Sequence, residues 1–149
     1  MPTGGRVDSL AGYHFWVEVS GALQGGFREC SGLGSESEII EDPRALNKGE
    51  TVVFKVPGKL KWTNIVLKRG ITDSMDLWKW RQQVEEGKVD SARKNGSIIL
   101  FNQANEEIAR WNFENGWPSK LSGPSLNAGG SELAVEELEI CHEKLIRVK

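Results

Sequence analysis

The stretch Leu60-Lys61-Trp62-Thr63-Asn64-Ile65-Val66-Leu67-Lys68-Arg69-Gly70 carries two alternating apolar pairs, Leu60/Trp62 and Ile65/Leu67, which differ in phase by one residue. Period-two alternation marks a half-buried strand, because successive side chains leave a strand on opposite faces. The slip between the pairs predicts a β-bulge. The following segment changes to helical spacing. Over Asp73 to Gly87, Leu77, Trp80, Gln83 and Val84 fall on one face, Asp73 is placed to cap the N-terminus with Asp76 three residues on, and Gly87 suits the stop. Glu85 and Glu86 in the last turn oppose the helix dipole at small cost. This reading gives one helix of about 13 residues, roughly 20 Å long, set between strands.

Outward from this centre, most of the chain reads as short strands. Tyr13, Phe15, Val17 and Val19 alternate with His14, Trp16, Glu18 and Ser20 until Gly21. Glu38 to Glu41 and Thr51 to Val56 are expected as two strands joined by a loop, Asp42 to Glu50, whose Pro43, Asn47 and Gly49 are turn formers. A loop that long in a hairpin is commonly functional. Pro57-Gly58 and Asn95-Gly96 read as turns. Ser97 to Phe101 and Glu107 to Phe113 form a further pair, with Ala109, Trp111 and Phe113 on one face. The last run begins with Leu133 and Val135 and resumes as Leu138 and Ile140, so Glu136-Glu137 marks a second phase break. The linker-like stretches are the ends and Asn127 to Ser131.

The chain has 149 residues, enough for one core, and the expectation is a single domain over 1–149 with a flexible arm over about 1–11. Its 19 Lys+Arg nearly cancel 21 Asp+Glu, leaving −2, which argues against a dedicated nucleic-acid binder. Seventeen glycines, about 11% against a usual ~7%, are the compositional oddity. The N-terminus lacks the apolar core of a signal peptide and no apolar run approaches the roughly 18 residues of a membrane span. Cytoplasmic synthesis without stable membrane insertion is expected.

No catalytic, metal or cofactor site is expected. Cys141 and His142 are adjacent on a strand and point to opposite faces, so they cannot share one ion, and Cys30 and Cys141 read as reduced thiols. Ser91-Ala92-Arg93-Lys94 matches S-x-x-K without its companion motifs, and Gly32-Leu33-Gly34 lacks the third glycine of a dinucleotide loop. Acids at Glu36, Glu38 and Glu41, and at Glu136, Glu137 and Glu139, read as solvated strand faces, with a hydrolytic carboxylate pair as the sharper alternative. Trp80 and Trp111 read as core, while Trp16, Trp78 or Trp117, if exposed, would mark a sugar platform or a protein interface.

Several blocks together resemble a known family. Leu60 to Thr72 followed by Leu77-Trp78-Lys79-Trp80-Arg81, then Lys94 to Leu100, Ala109 to Phe113 and Trp117-Pro118-Ser119-Lys120, are similar to the tail-tube proteins of contractile phages and phage-tail-like contractile injection systems. Gly26-Phe27 with Cys30-Ser31-Gly32-Leu33, and Asn127 to Glu139 with His142-Glu143, extend the likeness to both ends. The family is similar in fold to the inner-tube protein of type VI secretion. The resemblance implies a mainly β fold (α+β): two packed antiparallel sheets, sandwich- or barrel-like, with one flanking helix. It further implies hexameric rings stacked as a hollow tube inside a contractile sheath, with sheath, baseplate, spike and tube-terminating proteins as partners. The cargo would be protein effectors in an injection system or DNA in a phage.

Two surfaces are candidates. The turn-rich loop Asp42, Pro43, Arg44, Ala45, Leu46, Asn47, Lys48 and Gly49, together with the N-terminal arm, is expected to stack rings. Lys79, Arg81 and Glu85, taken as exposed charges on the helix, are expected to face the sheath by analogy with the family. A phage tail tube is the first alternative function. A monomeric β-sandwich that binds carbohydrate through exposed tryptophans is the second.

Overall fold

The computed structural model describes residues 13–126, 128–129 and 134–149. The expected arm over 1–11 and Leu133 therefore lie outside the described residues, as do parts of the Asn127 to Ser131 linker. The elements in order are β1 (His14–Val19), β2 (Leu23–Phe27), β3 (Glu29–Ser31), β4 (Ser35–Ala45), β5 (Thr51–Trp62), β6 (Ile65–Gly70), α1 (Asp76–Glu85), α2 (Val89–Ala92), β7 (Lys94–Phe101), β8 (Glu107–Ser122), β9 (Val135–Cys141) and β10 (Lys144–Arg147).

All pairings are antiparallel, and one path runs β2-β1-β7-β8-β9-β6-β3, with β10 also on β8. β8 belongs to two layers. Its first half pairs with β7 and β10, and its second half, from Trp117 to Ser122, pairs with β9. The strand turns the corner at Asn115, whose φ of 52° is left-handed, and Gly116, where an added Cβ would overlap the Phe113 ring. Val17, Val19, Leu23, Ile98, Phe113 and Leu145 of one layer thereby face Ile65, Leu67, Leu138 and Ile140 of the other. The path ends, β2 and β3, are joined through Arg28, whose amide donates to the Lys68 carbonyl at 2.9 Å. No ladder joins β2 to β6, so the two layers are a sandwich rather than a closed barrel.

α1 covers the core from outside, burying Leu77 and Trp80, and Trp80 Nε1 donates to the Ala92 carbonyl at 2.8 Å. Gly87, at φ 83°, ends the helix as expected. The start differs from expectation. Asp73 does not cap; Met75 holds the N-cap without a side-chain bond, and Asp76 Oδ1 accepts from the Leu77 amide at 2.7 Å instead. The helix is accordingly shorter, and an unexpected second turn of helix, α2, contains Ser91.

Three further expectations are corrected. The slip between Trp62 and Ile65 is a strand change and not a bulge: β5 ends, Thr63-Asn64 crosses over, and β6 joins another sheet. Pro57-Gly58 lies inside β5 and Asn95-Gly96 inside β7, so neither is a turn. Gly58 is there because a Cβ would meet Ile40 and Glu38 at 3.1–3.2 Å, and Gly96 because one would meet the Phe113 ring and, at 2.7 Å, the Glu18 carbonyl oxygen. The break at Glu136-Glu137 is also absent. β9 pairs with β6 without interruption, and Glu136 shares the buried face with Leu138 and Ile140.

Candidate assembly surfaces

β4 and β5 form a separate two-stranded ribbon of 11 and 12 residues. The expected loop Asp42 to Glu50 is mostly strand. Asp42, Pro43, Arg44 and Ala45 pair with Phe54, Val53, Val52 and Thr51, leaving Leu46, Asn47, Lys48, Gly49 and Glu50 as the turn. Lys48 and Gly49 take left-handed φ values of 81° and 79°, and the Leu46 amide donates to the Glu50 carbonyl. Asn47 to Gly49 form the turn their composition predicts, whereas Pro43 lies within β4, paired with Val53. Proline is tolerated in a strand whose edge is open, since no neighbour needs its missing N–H.

Alternation along β5 places Val52, Phe54 and Val56 on one face and Val53, Lys55 and Pro57 on the other; the register then slips between Pro57 and Leu60, a bulge that carries Leu60 to the Pro57 face and Lys61 to the Val56 face. Across the ladder, Ile40 stands opposite Val56 on the apolar face, where Arg44 lies over the Phe54 ring with its guanidinium carbon 5.3 Å from the centroid and bonds Asp42 at 3.0 Å. Ile40 is 49% exposed, Phe54 46% and Val56 43%. An apolar strip of this kind on a ribbon that forms its own two-stranded sheet, anchored to the core at Trp62, is the feature that marks a binding surface.

On α1, Lys79 and Glu85 are exposed. Arg81 is not the free charge expected: it is half-buried and donates to the Pro118 carbonyl at 2.8 Å, fastening the helix to β8. The helix is held more firmly at its start. Arg69 on β6 stands directly opposite Glu136 on β9, bonding its Oε2 at 3.3 Å and Asp76 Oδ1 at 2.6 Å. Trp78 Nε1 completes the cluster at 2.8 Å from Glu136 Oε1, and Arg69 lies over the Phe27 ring. Burial alone would raise the Asp76 carboxyl, but its bonds and proximity to Arg69, with the Leu77 amide and Ser74, hold it below its ordinary range. The reading of Glu136 as solvated is thus corrected: it is 5% exposed. The signal was available, since Arg69 is in phase with Ile65 and Leu67, and Glu136 with Leu138 and Ile140.

The remaining candidates are structural. His142 is buried; its Nε2 lies 3.0 Å from the Thr63 carbonyl, and its ring is near Trp62 and Phe113. Burial pushes the Cys30 thiol up to about 12, and burial with Glu139 and Glu143 raises Cys141. Among the described residues no three His, Cys, Asp or Glu side chains are grouped to hold a metal. Trp16 and Trp117 are half-buried, and Trp78, although exposed, donates from its Nε1 to Glu136. No helix of the described residues is long and apolar enough to cross a membrane.

Three comparisons place this arrangement among known proteins. The family described as "T4-like virus tail tube protein gp19" matches residues 11–146. Comparison with curated sequences returns no match. Among solved structures, a chain of the PVC sheath-tube complex of an extracellular contractile injection system, in its extended state, is 28% identical, with TM-score 0.76 over 97% of this chain and 93% of that one. A chain from the tube-terminating cap of the anti-feeding prophage is 26% identical, with TM-score 0.73 over 99% and 98%. Hcp1 from Flavobacterium johnsoniae shares the fold at 15% identity and TM-score 0.56, over 91% and 94%. With its two antiparallel layers, flanking helix and near-complete match, the chain belongs to the T4-like tail tube protein family.

Proposed function

We propose that this chain is the structural inner-tube subunit of a contractile injection system: six copies close a ring, rings stack as a hollow conduit, and a sheath drives the conduit through a target envelope to deliver protein cargo. The observation that carries the reading is the β4–β5 ribbon, which pairs with no other strand of the described residues and leaves Ile40, Phe54 and Val56 exposed on its apolar face, in a protein of the tube family. A monomer carrying that strip is an aggregation hazard; an assembly that buries it is not. The working contact is heterologous, since ring closure needs two different surfaces, and stacking needs a further pair that does not close. The subunit is structural and not an enzyme.

The far end of the ribbon, Asp42 to Gly49, is assigned to stacking together with the N-terminal arm. Lys79, Arg81 and Glu85 of α1 are assigned to the sheath side, Lys79 and Glu85 as exposed charges and Arg81 as a half-buried one that also donates to the Pro118 carbonyl. The single-domain organisation over 1–149 belongs to the same proposal. Sheath, baseplate and terminator partners follow from the complexes in which the similar chains were solved. The injection-system branch is favoured over a phage because chains of injection particles match at 26–28% identity over almost their whole length. A phage tail tube conducting DNA is the second reading, favoured by the family match itself.

Native mass spectrometry tests ring formation: a species of six subunit masses is expected, and monomer alone at high concentration with the baseplate partner present would overturn the reading. Deleting Arg44 to Lys48 is expected to leave folded subunits that close rings but do not extend tubes. Tubes of normal length from that variant would remove stacking from the ribbon end.

A further inference from the structure

The two strands of the ribbon carry opposite charge. β4 has Glu36, Glu38, Glu41 and Asp42, and its one base, Arg44, is tied to Asp42 at 3.0 Å. β5 has Lys55, Lys59 and Lys61 and no acid. The three lysines, Glu36, Glu38 and Glu41 are all exposed. Glu41 stands opposite Lys55 and Glu36 opposite Lys61 in the ladder, yet none of these six side chains makes an ion pair within its own chain. Both outer edges of the ribbon are open.

We infer that the acidic β4 edge of one copy receives the basic β5 edge of the next copy around the ring, and that this charge match selects the neighbour and fixes its height. The inference rests on the ring reading above and names the surfaces that close it. Ribbons standing side by side under a rotation axis keep one polarity, so the β5 edge of each meets the β4 edge of the next in antiparallel sense. Without a step along the axis, the Glu41/Lys55 row of one ribbon continues into the same row of its neighbour. The Glu36/Lys61 row does likewise, so each acid has a base on both sides. The two rows, one on each face of the ribbon, form alternating belts around the ring. A copy seated upside down or on the wrong edge would place like charges together, which cross-strand pairs disfavour.

The backbone alone gives weaker selection. Pro43 on β4 and Pro57 on β5 can donate to no neighbour, so edge hydrogen bonding is incomplete and the side chains must discriminate. The segregation also argues for a second copy over a polyanion or a lipid surface. Those partners take a surface of one sign, whereas the ribbon carries matched amounts of both.

The test is a charge-swapped chain: Glu36→Lys, Glu38→Lys and Glu41→Lys with Lys55→Glu, Lys59→Glu and Lys61→Glu. Every pairing inside its ribbon is preserved in reverse, so circular dichroism should show the wild-type fold. Alone, it should close rings. Co-expressed with a mass-tagged wild-type chain, it should avoid it, because every mixed junction sets like charges together. Native mass spectrometry should find mixed rings at least about ten-fold below random proportions. Mixed rings at random proportions would show that the charges act only within a ribbon and overturn the inference, as would a folded swapped chain that closes no ring. A wild-type chain that closes no ring under the same conditions would instead overturn the ring reading itself.

Discussion

Arg69 and Asp76 are joined by a 2.6 Å ion pair that ties the end of β6 to the first turn of α1, with both side chains largely buried. The same guanidinium serves Glu136 at 3.3 Å, so one cation compensates two acids. Removing it leaves two buried carboxylates with their neutral donors but no compensating cation, the costly way to break such a cluster. Arg69→Met is expected to lose about 3 kcal/mol, roughly 6–12 °C in Tm. Urea denaturation of the isolated subunit measures it, and a loss below about 1 kcal/mol would mean that both acids reach solvent when the arginine is absent.

The same pair gives a pH dependence with a definite sign. Burial favours protonation of Asp76, but Arg69 and the Leu77 amide outweigh it and hold the folded carboxyl below its ordinary 3.8. Stability from the pair is complete above that value and is lost as pH falls through the lower folded one. Wild type should exceed Asp76→Asn in unfolding free energy at pH 6, with the difference shrinking below pH 3.8. A difference constant from pH 6 to pH 3 would contradict this assignment.

Gly96 and Gly25 give an internal control. A Cβ at Gly96 would strike the Phe113 ring and lie 2.7 Å from the Glu18 carbonyl, whereas one at Gly25 meets nothing within 4 Å. Gly96→Ala should cost about 1–3 kcal/mol, the usual penalty for overpacking. Gly25→Ala should be neutral or stabilising by about 0.4 kcal/mol. Thermal unfolding of the two variants compares them directly.

The ribbon separates folding from assembly. Phe54 and Ile40 touch the two-layer core nowhere in the cluster that defines it. Phe54→Ser with Ile40→Ser should therefore keep subunit stability within about 0.5 kcal/mol of wild type while abolishing tubes. Loss of the fold would show that the apolar strip stabilises the subunit itself.

Strand and helix periodicity revealed most of the core: Val17 and Val19, Ile65 and Leu67, Leu77 and Trp80, Ala109 and Phe113, Leu138 and Ile140 lie where their spacing puts them. Local signals failed where tertiary context outweighed them. Pro57-Gly58 and Asn95-Gly96 have turn composition, but open edges admit the proline and crowding by Ile40 and Phe113 requires the glycines. The Arg69–Glu136 pair is hidden in the sequence because charge on a strand suggests a solvated face, although both residues keep the inward phase of their strands. The length of the ribbon was hidden by the same prolines. The available signal was the alternation of Val52, Phe54 and Val56 with Val53, Lys55 and Pro57, which continues straight through the proline.

Electron microscopy of the purified subunit, nucleated by its baseplate partner, tests the central claim most directly. The account predicts hollow tubes of stacked six-fold rings, with the β4–β5 ribbon of each subunit buried against other copies. Dispersed single subunits, or rings in which the ribbon projects free into solvent, would contradict it.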